Sequence, residues 1–321
     1  MLSLEPANRY LADTLTEKYV TPSSLDQSFV DFDSVRYHLS TPNTKAKHQL
    51  LLSMDVPCWS ELETYGARDV LEREYGSLLL DKGNTEDGYS VSLAIDLEQG
   101  PQSIEERQAL ITSISLLKRN TLAAPFERAF AIHKDLEAQP LREGEEDAKQ
   151  QVMAIHYRPE EAIYLIPSRD RVTCIFSTIF KEETDRILGR VFLQEFVDAR
   201  RRPSCQTAPQ VLYSNREPPL EIRHLQGLDM TEKSGYVTFV LFPRHMTLQT
   251  SASTITQIQL FRDYLHYHIK CSKAYLHSRL RVRTNEFLKV LNRAKPDESL
   301  GDGDGKGKER KTASGRSFVR S

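Results

Sequence analysis

Residues 254–295, TITQIQLFRDYLHYHIKCSKAYLHSRLRVRTNEFLKVLNRAK, decide how this chain is read. They contain no glycine or proline, and Pro296 follows them. Apolar side chains recur at Ile258, Phe261, Leu265, Ile269, Leu276, Leu280, Phe287 and Leu291. At about 100° per residue they fall in one stripe about 120° wide. The spacing predicts a single helix about 63 Å long, at ~1.5 Å per residue, opened by a capping box of Thr254 with Gln257. A stripe of that length needs a partner along all of it. The chain's own sheets are expected to cover the first half, and another helix or protein the rest.

The same stretch concentrates charge. Residues 270–295 hold eight Lys/Arg against one Glu, while the whole chain has a net charge of −2. The tail beyond them adds +1, which leaves residues 1–269 at −10. Lys270, Arg281 and Lys295 fall on one flank of the stripe, Arg279, Lys289 and Arg293 on the other, and Arg283 close to the stripe itself. Uncompensated like charges destabilise a helix, so this face reads as a surface for an anionic partner. Nucleic acid, anionic lipid and an acidic protein surface all fit at this point.

Working back from the helix, the composition predicts an α+β fold. Helical spacing opens the chain at Leu4, Leu11, Leu15 and Tyr19; extended segments follow at 29–39 and 48–56, then a helical stretch at 59–75 punctuated by Gly66. Two strands are expected at 77–80 and 89–97, and a helical region at 103–138 broken near Pro125. Residues 139–150, rich in charge with Pro140 and Gly144, mark a linker. Beyond it, short β-branched and aromatic runs at 152–157, 162–166, 171–180, 188–196, 211–213 and 236–242 read as strands. Gly88-Tyr89 and Gly235-Tyr236 each start a strand that leads into a long helix. An internal duplication or chance would both explain that, and the sequence leaves both open. The expected division is a first α+β domain at 1–138, the linker at 139–150, a second α+β domain of similar topology at 151–249, the long helix at 250–296 and a mobile tail at 297–321. With five glycines and many charges, that tail cannot bury enough apolar surface to offset its ordering entropy.

Signatures of catalysis are missing from the sequence. The run 301–308, GDGDGKGK, fails the phosphate-loop pattern because Leu300 stands where the first glycine belongs and Gly307 follows Lys306. His266 and His268 lie two apart on a helix and point away from each other, so they cannot share a metal. Cys58, Cys174, Cys205 and Cys271 form no CxxC pair, so reduced thiols in a cytoplasmic protein are expected. No G-x-S-x-G, H-E-x-x-H or G-x-G-x-x-G occurs. The opening Met1-Leu-Ser-Leu-Glu-Pro6 lacks the basic and apolar regions of a secretory leader. No apolar stretch approaches the ~20 residues that span a bilayer. The expectation is a non-catalytic protein without cofactor or metal.

Several strings carry a family resemblance. Thr238-Phe-Val-Leu-Phe-Pro-Arg-His245, the run from Phe261 to Tyr275, and Phe287-Leu-Lys-Val-Leu-Asn-Arg-Ala-Lys-Pro296 resemble the subunit 2 family of the actin-related protein 2/3 complex. So do Thr207-Ala-Pro-Gln-Val-Leu212, Arg216-Glu-Pro-Pro-Leu-Glu221, Asp31-Phe-Asp33, Tyr75-Gly-Ser77, Gly88-Tyr-Ser-Val-Ser-Leu93 and Leu117-Lys-Arg-Asn120. The likeness runs in order through almost the whole chain to Pro296, and departs at the Gly/Asp/Lys-rich 297–311. It implies two α+β domains and a long C-terminal helix that packs antiparallel on the matching helix of subunit 4. That pair would form the core to which two actin-related subunits and the others attach, and would bind the side of a mother actin filament during branching. Actin is acidic, which selects among the anionic partners left open above, without nucleic acid and without membrane insertion. On this reading Arg279, Arg281, Arg283, Lys289, Arg293 and Lys295 contact the filament. Phe261, Leu265, Ile269, Leu276, Leu280, Phe287 and Leu291 form the subunit interface.

Overall fold

Alternation with period two builds the first sheet. Tyr37 and Leu39 of β2 (Arg36–Ser40) point inward opposite Met54 and Leu52 of β3 (Gln49–Asp55), which in turn face Val91 and Leu93 of β4 (Val91–Asp96). β1 (Asp26–Val30) completes an antiparallel meander in the order β1-β2-β3-β4. The computed structural model describes residues 4–138, 151–199 and 202–294. The linker at 139–150, Arg200, Arg201, Lys295, Pro296 and the tail at 297–321 therefore lie outside the described residues.

Around this sheet stand α1 (Arg9–Val20), α2 (Trp59–Thr64), α3 (Ala67–Tyr75), α4 (Ile104–Ser115), α5 (Leu117–Thr121) and α6 (Ala124–Ala138). Side-chain caps start two of them: Asn8 accepts from the Leu11 N–H at α1 and Ser103 from the Glu106 N–H at α4. The expected break at Pro125 is absent. Pro125 is the second residue of α6, where a missing N–H costs little, and the helical region is interrupted earlier, at Leu116 and at 122–123. The strand expected at 77–80 is also corrected. Gly76–Leu78 is a single 3-10 turn, and only Leu79 bridges to Leu93.

The second sheet repeats the plan with one addition. Its order is β5-β6-β7-β9-β8, all antiparallel, from β5 (Met153–Arg158), β6 (Glu161–Pro167), β7 (Val172–Ile179), β8 (Gln210–Asn215) and β9 (Ser234–Leu241). In both sheets a three-strand meander leads through helix to a strand that pairs antiparallel with the third, and that strand leads into further helix; β8 is the extra member. β6 and β9 are buried on both faces, which explains their unbroken apolar runs. One face joins a core cluster shared with the first sheet, while Tyr164, Ile175 and Tyr236 on the other are covered by Ile222.

Residues 188–196 are helical, not extended. They belong to α7 (Glu183–Ala199), whose Gly189 and Leu193, four apart, are its buried positions. A Cβ added at Gly189 would lie 2.7 and 2.8 Å from the Phe180 ring and 3.2 Å from Ile269 Cδ1. Glycine therefore lets α7 close on the core.

The long helix is α8 (Ser251–Arg293), of 43 residues. Its start precedes the expected capping box: Thr254 already donates its N–H to the Thr250 carbonyl. The chain divides into two units, residues 1–273 and 274–321. In the first unit, Ile255, Ile258, Phe261, Leu265 and Ile269 are buried, and Phe261 meets Phe176 and Phe239 with ring centroids 5.5 and 4.8 Å apart. A cluster of six alternating charges fastens the same stretch. Arg262 Nε donates to Glu161 at 2.6 Å, while Asp33 accepts from Arg158 at 2.9 Å and from Lys118 at 3.3 Å. Asp263 lies 3.7 Å from Arg262. Burial would raise the Asp33 carboxyl, but Lys118 and Arg158 hold it below its ordinary value. Asp263 is pushed up to about 6, by burial first and by Asp33 next. No helix among the described residues is long and apolar enough to cross a membrane.

Two outcomes follow from this packing. Gly189→Ala should lower stability by about 1–3 kcal/mol through overpacking, read as a lower urea midpoint; an unchanged midpoint would show that Phe180 moves aside freely. The raised Asp263 pKa means the fold binds a proton there more tightly than the unfolded chain, so the ionised form costs stability above pH 6 and that cost disappears as pH falls toward 4. Asp263→Asn should therefore gain about 1–3 kcal/mol over the parent at pH 7.5 and nothing near pH 4. Paired urea titrations at the two pH values measure the difference.

Candidate partner-binding helix

The apolar row of α8 changes character along its length. Phe261, Leu265 and Ile269, which the sequence groups with the subunit interface, are 8%, 0% and 2% exposed and belong to the chain's own core. They offer no surface to a partner. Leu276, Leu280, Phe287 and Leu291 are exposed at 47%, 60%, 62% and 49%. In the second unit every residue from 274 to 294 is exposed. Its helix is supported by the absence of Gly and Pro and by good helix formers such as Leu, Arg and Lys.

Large apolar side chains left in water along several turns are unusual for a soluble monomer and mark a contact surface. The row also contains Val290, 59% exposed, which the stripe as drawn from the sequence leaves out. Its signal was present in the spacing, three residues after Phe287. Tyr275, Val282 and Leu288 are exposed as well, away from the row. Tyr275 carries the Arg279 guanidinium over its ring at 5.7 Å, a cation–π contact.

The basic residues lie where the sequence places them. Arg279, Arg281, Arg283, Lys289 and Arg293 are all exposed on this helix, and Lys295 is outside the described residues. Among the described residues none of these five has a carboxylate within salt-bridge distance. Lys273, at the end of the first unit, differs, since Glu182 and Asp185 neutralise it. The field of the exposed helix is therefore positive on its flanks and apolar along one face, which suits a partner that is apolar in one strip and acidic beside it.

Two histidines of α8, His266 and His268, are packing residues, while His277 is exposed. His266 leans against Phe180 with centroids 6.1 Å apart, and burial, then Arg262, pushes its pKa down to about 4. His268 stacks on Phe192 at 5.3 Å and on Tyr264 at 6.3 Å. Among the described residues no group of three or more His, Cys, Asp or Glu could hold a metal ion. The buried thiols Cys58 and Cys174 are pushed up by burial, the first to about 12, which makes them poor nucleophiles.

Comparison with known proteins identifies the family. Residues 52–298 match the family described as the Arp2/3 complex, 34 kD subunit p34-Arc. The chain is similar to a Schizosaccharomyces pombe protein named actin-related protein 2/3 complex subunit 2, at 52% identity over the full length of both chains. It is also 37% identical to a Dictyostelium discoideum protein of the same name, over 92% of this chain and 94% of that one.

Proposed function

The chain belongs to the family of the Arp2/3 complex 34 kD subunit p34-Arc, and from that premise we propose that it is a non-catalytic scaffold subunit of the complex, acting in the cytoplasm at the actin cytoskeleton. Its role is to pair with subunit 4 as the core on which the two actin-related subunits and the remaining subunits assemble, and to bind the side of the mother filament when a branch is nucleated. The observation that carries this reading is the exposed apolar row at Leu276, Leu280, Phe287 and Leu291, bordered by cations that have no carboxylate within salt-bridge distance among the described residues. The row serves the contact with subunit 4. Filament contact falls to the flanking Arg279, Arg281, Lys289 and Arg293, whose charge complements an acidic filament and attracts it over a Debye length of about 8 Å at physiological salt.

Assembly and filament binding separate experimentally. A tagged chain purified gently from its own cells should bring down two actin-related proteins and several small subunits in equal amounts. With Leu276→Asp or Leu280→Asp an unpaired charge would enter the interface at a cost of several kcal/mol, so recovery of partners should drop at least about a hundredfold. Normal yield of complex from these variants, or a parent chain that comes out alone or with nucleic acid, would count against the scaffold reading.

Reversing Arg279, Arg281 and Arg293 to glutamate should leave assembly intact and weaken filament binding about tenfold, at roughly 0.5 kcal/mol for each exposed charge. Cosedimentation of the assembled complex with actin filaments measures this, and the parent's binding should fall with added salt while the variant's changes less. Equal pelleting of parent and variant would remove these residues from the contact.

A further inference from the structure

From Leu276 onward the row advances in steps of four, three, four, three and four, through Leu280, Arg283, Phe287 and Val290 to Ala294. That alternation is the a/d spacing of a coiled-coil seam. Five of the six positions are apolar. The sixth, in the interior of the row, is an arginine.

Arg283 is exposed in the chain by itself, and no carboxylate lies within salt-bridge distance of it among the described residues. Glu286, three residues on, leaves it unpaired and stands outside the seam. When a partner covers Leu280 and Phe287, the arginine's methylene stem can pack along the apolar row, but its guanidinium loses water. A buried cation without a counter-charge is strongly unfavourable. The covering surface must therefore supply an acceptor at that point, and the planar fork of arginine is matched best by a carboxylate.

We propose that Arg283 is a seam residue that fixes register, and that its partner is an Asp or Glu in the interior of the apolar face of an amphipathic helix on the neighbouring subunit. This rests on the scaffold reading above. It moves Arg283 from the filament-facing set to the subunit contact. A lone polar position in an apolar seam permits one alignment and penalises the shifted ones, at some cost in stability. A second copy of this helix does not fit. Paired antiparallel about the middle of the row, it sets Arg283 against Phe287; paired parallel, it sets Arg283 against Arg283. Either way the guanidinium is uncompensated, and the flanking cations are brought together.

The test uses the full complex, with each variant chain co-expressed with all its partners. Arg283→Glu should lower recovery of the neighbouring subunit at least tenfold. Arg281→Glu, the same change two residues away and off the seam, should stay within twofold of the parent, and Arg283→Lys within about threefold. Asp and Glu residues of the neighbouring helix are then changed to Lys one at a time, and one of them should restore assembly with Arg283→Glu. Circular dichroism of the isolated variants checks that helix content is unchanged. If Leu280→Asp breaks assembly while Arg283→Glu behaves like Arg281→Glu, or if no change on the neighbouring helix rescues it, the seam assignment is overturned and the scaffold reading stands. If Leu280→Asp also assembles normally, both fall together.

Discussion

Asp33 sits in a left-handed backbone position, φ 62°, just after the edge strand β1, and its carboxylate gathers cations from distant parts of the chain. Lys118 comes from α5, Arg158 from β5, and Arg262 of α8 approaches to 4.0 Å. Glu161 of β6 then takes the Arg262 guanidinium. Elements far apart in sequence are thereby held to one alignment. Removing Asp33 or Glu161, unlike the raised Asp263, leaves a buried cation uncompensated, at a cost of about 3–5 kcal/mol. The aspartate's conformation suits the task, since Asp and Asn tolerate left-handed backbone better than most residues. The cluster acts where the two sheets and the start of the long helix come together, so the placement of α8 in the core depends on it.

That dependence explains why one helix can hold residues of two kinds. Residues up to Ile269 are fixed by burial against Phe176 and Phe239 and by the charge cluster. Among the described residues, 274–294 are exposed throughout, and the helix there rests on its own hydrogen bonds, its sequence and the Arg279–Tyr275 contact. A short isolated helix in water is marginal. Here the exposed stretch continues an element already nucleated in the core, which removes the unfavourable first step.

Much of this was legible in the sequence, and the failures have distinct physical causes. The strands at 48–56, 162–166 and 236–242 were readable because a short alternating or unbroken apolar run, rich in branched and aromatic side chains, suits a pleated and buried strand better than a helix face. Residues 188–196 misled because Val191, Phe192 and Phe196 favour strands by composition, while the Gly189–Leu193 spacing that makes the segment helical is short and includes a glycine. The row on α8 was readable throughout, yet its division was not. Phe261 and Leu276 occupy the same periodic stripe, and only the packed sheets show that the first is internal and the second exposed. Asp33 appeared within Asp31-Phe-Asp33 as a family string, with no local sign of cations more than eighty residues away.

The exposed row also bears on how much of this protein a cell keeps. A copy without its partner carries Leu276, Leu280, Phe287 and Leu291 in water at the end of a long charged helix, and contiguous apolar side chains of this kind invite association and recognition by chaperones and proteases. Covering the row hides the mark. On the scaffold role proposed above, the amount of chain that persists should follow the supply of its partner, and the surface proposed to build the assembly would also limit the number of unassembled copies.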